Sequence, residues 1–242
     1  MDASEYVIMY DVEDSHWWYA GMRRLTESML DAYVGDRVSS ILDAGCGTGA
    51  NLLLLSHRGL ATGIDIEPVA LSFCRHRGLT RLVQGSVSEL PFPPSAFGLV
   101  TSFEVLYHLK VSDDEAALGE FWRVLRPGGW LLLRLPAYDR LRGRHDTAVQ
   151  TRRRYTKGEV GRKVRAAGFD VVRLSYANCL LFPVAVAKRV LERLLPASAG
   201  SDVGPPPYGN AVLRTILCAE AVWLRRWSLP WGLSVLCLAR KV

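Results

Sequence analysis

The sequence has no cysteine pair at CxxC spacing, no apolar run long enough to cross a bilayer, and no internal repeat or low-complexity stretch. Its five cysteines, Cys46, Cys74, Cys179, Cys218 and Cys237, are scattered singly. An odd, scattered set suits neither a disulfide framework nor a zinc site, and points to a reducing, cytoplasmic compartment. The longest uncharged, largely apolar run, Leu174 to Ala187, falls short of the roughly 20 residues of a membrane span. The opening MDASEYVIMY has no basic flank before an apolar core, so no signal peptide is expected. What is present is 242 residues, 49% hydrophobic and 22% charged. That is enough apolar material for one full core, excludes intrinsic disorder, and fits a single domain carrying an insertion.

The net charge of +6 is unevenly spread. Between Arg140 and Arg165 stand ten Lys or Arg against only Asp146 and Glu159. Such a stretch can meet nucleic acid, an anionic small molecule or anionic lipid. Tyr155 is the one aromatic within it, so a stacking platform for bases is not indicated. A solvated basic face is the simpler expectation.

From about residue 38 the chain alternates strand and helix signals. Strands are expected at Val38–Leu42, Leu60–Ile64, Arg81–Val83, Leu99–Ser102, Trp130–Leu135, Phe169–Leu174 and Leu233–Ala239. Between them, Pro68 suits a first helical turn, Gly59 a helix stop, and Ser112 with Glu115 and Thr156 with Glu159 make capping boxes. Arg126-Pro127-Gly128-Gly129 reads as a terminator before the fifth strand. The rhythm predicts an open α/β sheet, largely parallel, with helices on both faces.

Two pieces stand outside this rhythm. Residues 1–34 form a helical lead-in rich in aromatics, with His16, Trp17, Trp18 and Tyr19. Residues 177–231 read as an insertion of two helices, Val184–Leu195 and Ala211–Trp227, joined through Gly204-Pro205-Pro206-Pro207. The first is amphipathic and is expected to pack its Val184, Ala187, Leu191 side on the host domain. Trp223, Trp227 and Trp231 read as core. The insertion is also a candidate homodimer face.

The most informative segment is Ile41-Leu42-Asp43-Ala44-Gly45-Cys46-Gly47-Thr48-Gly49-Ala50, a strand running through glycines into a helix. Missing Cβ atoms let a ligand approach the backbone N–H groups. Gly45-x-Gly47-x-x-Ala50 also satisfies a dinucleotide fingerprint, with Asp65 where a ribose-binding acid belongs. Asp43 favours S-adenosylmethionine over NAD, because a carboxylate before the loop repels a pyrophosphate but tolerates an ammonium and a sulfonium.

ILDAGCGTG, TGIDIEPVAL, VQGSVSELPF, FGLVTSFEVLYHL and ALGEFWRVLRPGGWLLLRLP resemble, in order and spacing, the successive motifs of class I S-adenosylmethionine-dependent methyltransferases, over roughly residues 36–176. HWWYAGMRRL, RHD, RRRYT, NCLLFP and LPWGLSVLCLARK are similar to a bacterial subgroup often found beside sugar, lipid or secondary-metabolite genes. The resemblance implies a Rossmann-like doubly wound sheet of seven strands, the last antiparallel, with an α-helical cap. It implies one domain, with residues 1–34 as a lid, 35–176 and 232–242 as core, and 177–231 as insertion.

By the same resemblance, Asp43, Gly45, Gly47 and Gly49 hold the methionine part of the cofactor, Asp65 takes the ribose hydroxyls, Ser86 stands in the stretch that meets the adenine, and Cys46, Ile66 and Val87 are further cofactor-binding candidates. Phe103 lies under the methionine end, and His16 and Trp18 close over it. The chain departs from the family pattern at Ser86, where an Asp is usual, and at Gly98 and Tyr107, each in place of an acid.

Methyl transfer needs a base only where the acceptor loses a proton. Past the fourth strand, His108 is the first candidate for a catalytic role. His145, oriented by Asp146, is the second, and Tyr155 is a candidate substrate hydrogen bonder. His57 and His76 read as surface residues. No metal-ligand spacing is present, so no metal is expected. The expected acceptor is a small molecule methylated on O, N or C. Nucleic acid is not the expected partner, and peripheral membrane contact is a lesser reading. The alternatives are an RNA methyltransferase, an enzyme consuming S-adenosylmethionine without transferring methyl, an NAD(P)-binding protein, and a non-catalytic scaffold.

Overall fold

The computed structural model describes residues 3–194 and 208–242. Its elements run α1 (Ala3–Val12), α2 (Trp17–Tyr33), β1 (Val38–Ala44), α3 (Ala50–Ser56), β2 (Gly59–Asp65), α4 (Pro68–His76), β3 (Leu82–Gln84), β4 (Phe97–Phe103), α5 (Asp114–Val124), β5 (Leu125–Pro136), α6 (Arg144–Ala148), α7 (Lys157–Ala166), β6 (Phe169–Ala177), α8 (Phe182–Leu194), α9 (Asn210–Trp223) and β7 (Ser234–Lys241). The strands form one sheet in the order β3-β2-β1-β4-β5-β7-β6. All neighbours are parallel except β7, which runs antiparallel to β5 and β6. This is the expected Rossmann-like sheet of seven strands.

Local chemistry explains most boundaries. Pro68 opens α4, Thr156 caps α7 by accepting from the Glu159 N–H, and Gly168 ends that turn at φ +94°. Three expectations shift. Asp113, not Ser112, caps α5, because its carboxylate accepts from both the Glu115 and Ala116 N–H groups. Arg126-Pro127-Gly128-Gly129 does not precede β5 but lies within it. Gly59 is no helix stop: it starts β2, where a Cβ would stand 1.7 Å from the Val38 carbonyl oxygen of the adjacent strand.

The lead-in is two helices, and His16 lies between them as the N-cap of α2. The insertion packs on this lead-in. The Ser28 hydroxyl of α2 donates to the Ala221 carbonyl of α9 (2.7 Å), and the Tyr33 hydroxyl donates to the Arg225 carbonyl (2.8 Å). Gly21 allows the close crossing, since a Cβ there would meet Leu217 Cβ at 2.6 Å. Together α1, α2, α8 and α9 roof the C-terminal ends of the strands.

The outward face of the insertion departs from expectation. Val184 and Leu191 of α8 are 68% and 55% exposed, so the apolar stripe does not pack on the core. The helix instead turns Ala185 and Arg189 toward the interior cavity. Trp223, Trp227 and Trp231 are exposed rather than core, because α9 buries the opposite side, Leu217, Glu220 and Ala221. The expected Gly204–Pro207 loop lies outside the described residues. Among the described residues no helix is long and apolar enough to cross a membrane.

Candidate active site

A cavity of about 530 Å³ lies between the strand tips and the helical roof, large enough for a small-molecule ligand. The glycine loop floors one half. Gly45, Gly47 and Gly49 all adopt positive φ (+85°, +54°, +94°). At Gly45 a side chain is excluded twice, by φ and by Val105, whose Cγ2 would stand 2.3 Å from a Cβ. Asp65, at the tip of β2, accepts from the Gly47 N–H (2.9 Å) and the Glu67 N–H (3.0 Å). Its carboxylate therefore fixes the loop while retaining acceptor capacity toward a ligand. Burial pushes its pKa up, and those backbone donors pull it back.

Gly45, Cys46, Gly47, Asp65, Ile66, Ser86, Val87, Phe103, His16, Trp18 and His108 all line this one cavity. Asp43 and Gly49 do not. Asp43 is 2% exposed beneath the loop, paired in register with Thr101 of β4, whose hydroxyl donates to it (2.8 Å). Burial raises its pKa to about 7. Gly49 caps α3, its missing side chain filled by Cys74 and Leu79.

Tyr155 is corrected outright. It is 1% exposed, its hydroxyl donates to the Asp114 carboxylate (2.7 Å) and lies 3.0 Å from the Leu106 carbonyl, and it is not among the residues lining the cavity, so it braces the core. The basic loop folds inward because the aromatic ring is worth more buried than exposed. His145 belongs to α6, but its side chain lies outside the described residues. Asp146 does not wait for it: both carboxylate oxygens accept from Arg154 (2.8 and 2.9 Å). His108 follows a turn closed by its N–H to the Val105 carbonyl and stacks on Tyr107 (ring centroids 4.3 Å apart). His57 and His76 are exposed.

The roof is latched to the loop by buried charge. Glu13, 4% exposed, accepts from the Thr48 hydroxyl and from Arg77 (2.9 Å), while Arg77 also donates to the Thr48 carbonyl (3.0 Å) and to Asp14. Removing one partner of a buried pair strands the other. Arg77→Met is therefore expected to lower unfolding stability by about 3 kcal/mol in urea denaturation; a loss within about 0.5 kcal/mol would show that the latch carries no load.

Sequence reasoning missed four side chains in and around the far half. Arg134, at the tip of β5, is 3% exposed; its Nε donates to Glu104 (3.1 Å), and its guanidinium lies 4.8 Å from the Phe103 ring and 5.6 Å from the Trp18 ring. Glu104 holds a left-handed φ of +58°. Asn178, just past β6, is fully buried at φ +60°. Glu220 of α9 grips that turn, accepting from the N–H groups of Asn178, Cys179 (2.8 Å) and Leu180 (3.1 Å).

The three loop glycines without Cβ atoms, the ribose-reach carboxylate, the aromatic pair and the volume fit S-adenosylmethionine. Among the described residues no cluster could hold a metal ion.

Residues 42–133 match the family model described as a methyltransferase domain. Over 164 residues the chain is 33% identical to a fatty-acid O-methyltransferase of Mycolicibacterium smegmatis, covering 65% of this chain and 55% of the relative. Over 139 residues it is 32% identical to a demethylmenaquinone methyltransferase of Thermus thermophilus, covering 54% and 62%. The chain thus spans just over half the length of these relatives. Geranyl diphosphate C-methyltransferase of Streptomyces coelicolor, solved with S-adenosyl-L-homocysteine, shares the fold at TM-score 0.61 and 14% identity, over 89% of this chain and 77% of that one.

Proposed function

We propose that this chain, which carries a class I S-adenosylmethionine-dependent methyltransferase domain, moves a methyl group from S-adenosylmethionine to a small-molecule acceptor beneath the helical roof. One observation carries the reading: a single cavity continues from Gly45, Gly47 and Asp65 to the inner sides of α8 and α9, so two small ligands meet over the tips of β4 and β5. The acceptors named for the relatives and the structural neighbour, a fatty acid, a quinone precursor and an isoprenoid diphosphate, support a small acceptor with an apolar body.

When bound, the cofactor supplies an electrophilic methyl group on a sulfonium, which leaves without help from an acid. The chain's tasks are then to align the acceptor and exclude water. The backbone of Gly45, Cys46 and Gly47, its N–H groups held by the Ile64 carbonyl and the Asp65 carboxylate, would lie against the methionine part, Asp65 would take the ribose, and Ser86 and Val87 would face the adenine. Phe103, Trp18 and His16 enclose the sulfonium end. Arg134 already lies over the Phe103 and Trp18 rings, so cation–π attraction there is shared with that guanidinium.

His108 stands ready where the acceptor has a proton to lose. Turnover of His108→Ala sorts the acceptor chemistry: a fall of about 10²–10⁴-fold at unchanged cofactor affinity marks a proton-losing acceptor. Wild-type turnover marks an acceptor already deprotonated, with alignment alone as the catalytic device.

An RNA acceptor is less well supported by the basic stretch, because Arg142, Arg153, Arg154 and Lys163 are paired with Asp139, Glu159, Asp146 and Asp114. The exposed Val184, Val190 and Leu191 leave the insertion a candidate homodimer face. Incubation with methyl-labelled S-adenosylmethionine and fractionated cell extract tests the reading. Label is expected in a low-mass product with S-adenosylhomocysteine accumulating; label in RNA, or in methylthioadenosine, would overturn it.

A further inference from the structure

The two halves of the cavity differ in charge. Around the glycine loop, acids outnumber bases among the lining residues; beyond Phe103 the lining includes Arg154, paired with Asp146, and Arg134, whose Nε donates to Glu104. The first half suits a ligand carrying an ammonium and a sulfonium. The second offers an anion the Nη1 of Arg134.

Two deeply buried side chains in the second half also carry polar atoms without hydrogen-bond partners among the described residues. Arg134 spends Nε on Glu104, but its Nη1 has no partner. Asn178 has none for either Oδ1 or Nδ2. A buried polar atom left unpaired is costly, and both residues line the cavity. Pairing of Pro136 with Ser234 and of Ser234 with Ala177 sets both toward the C-terminal end of β5 and β6, two strand spacings across and three residues along, roughly 14 Å between their backbones. Asn178 is held there in a strained left-handed conformation by the Glu220 carboxylate, and such strain persists only where the surroundings enforce it. Between these polar groups and the roof, Leu181, Ala185 and Leu213 give an apolar wall.

We propose, resting on the cofactor reading above, that the acceptor is an aliphatic carboxylic acid: its carboxylate takes Arg134 Nη1, its chain lies along Leu181, Ala185 and Leu213, and Asn178 hydrogen-bonds an oxygen carried further along the chain. A carboxylate oxygen then bonds to the methyl carbon as the methyl–sulfur bond breaks, its electron pair passing to sulfur. The acid leaves as a neutral methyl ester, the sulfonium becomes the thioether of S-adenosylhomocysteine, and no proton moves. An ionised acid is its own nucleophile, so alignment beside Phe103 is sufficient.

Calorimetry on the S-adenosylhomocysteine complex, titrated with decanoate and separately with decanol, tests this. Decanoate is expected to bind at least about tenfold more tightly, the scale of one charge-assisted hydrogen bond. Arg134→Gln combined with Glu104→Gln exchanges the ion pair for a neutral hydrogen-bonding pair, leaves neither charge buried alone, and should erase the preference. Asn178→Gly keeps the left-handed backbone; it should leave the melting temperature unchanged and bring decanoates bearing a chain hydroxyl down to the affinity of decanoate itself.

Equal affinity for acid and alcohol in the wild type, or a preference surviving in the double variant, overturns the proposal. If Arg134 instead takes the cofactor's own carboxylate, the double variant weakens S-adenosylhomocysteine but not methylthioadenosine, which lacks that group, and this result also overturns it. Should the wild-type protein bind no S-adenosylhomocysteine, the cofactor reading fails. The acid-against-alcohol titration of the ligand-free protein then still decides the present proposal.

Discussion

Asp65→Ala is expected to weaken S-adenosylhomocysteine binding by about 100-fold or more. The carboxylate holds two positions at once: it accepts from the Gly47 and Glu67 N–H groups and faces the half of the cavity where the ribose belongs. Hydrogen bonds to a charged acceptor contribute about 1.5–3 kcal/mol each, so losing the ribose contacts alone reaches that range. Losing the anchor of Gly47 adds to it by loosening the loop. Asp65→Asn separates the two effects, since its amide oxygen still accepts from one backbone donor. Titration of the three proteins should give affinities in the order Asp, Asn, Ala; wild-type affinity in Asp65→Ala would place the ribose elsewhere.

Asp43 carries the second large effect, and its sign changes with what is measured. Burial raises its pKa to about 7, against the pull of the Thr101 hydroxyl and Arg134. A carboxyl with a higher pKa folded than unfolded binds its proton more tightly in the native state, so stability falls as pH rises from about 4 toward about 7. The shift corresponds to a penalty on the order of 4 kcal/mol in the ionised protein. Asp43→Asn keeps the acceptor for Thr101 and removes the charge. Its melting temperature should exceed that of the wild type at pH 8 and match it near pH 4.

Affinity should move the opposite way. The ionised carboxylate beneath the loop attracts the cationic cofactor through the loop backbone, and at pH 6 protonation removes most of that charge. Wild-type affinity for S-adenosylmethionine should rise about tenfold between pH 6 and pH 8 relative to Asp43→Asn. Parallel pH profiles in the two proteins would remove Asp43 from cofactor binding. A melting temperature of Asp43→Asn below the wild type at pH 8 would contradict the buried charge.

The fold and the loop half of the cavity were legible because their signals are local. Glycine spacing marks a turn that excludes side chains, and an acid at the end of β2 marks the partner of that turn, whichever residues lie around them. The far half was not legible. Glu220 grips the turn at Asn178 from 42 positions away, and the packing of α9 against α2 and the end of β6 brings them together. Arg134 left a trace, a single charge within a run of leucines, and a charge buried in a strand signals a partner inside the protein. Tyr155 misled because the surrounding arginines suggested solvent; those arginines instead pair with Asp146 and Glu159, and the tyrosine hydroxyl finds Asp114 in the core. On α8, amphipathic periodicity showed that one side is apolar but not which side meets the domain.

Calorimetric titration of the wild-type protein with S-adenosylhomocysteine and, in parallel, with NADH tests most directly that the glycine loop serves a methyl donor. Saturable binding of S-adenosylhomocysteine at one site, lost in Asp65→Ala, with no heat from NADH, is the predicted result. Saturable binding of NADH with none of S-adenosylhomocysteine would contradict it.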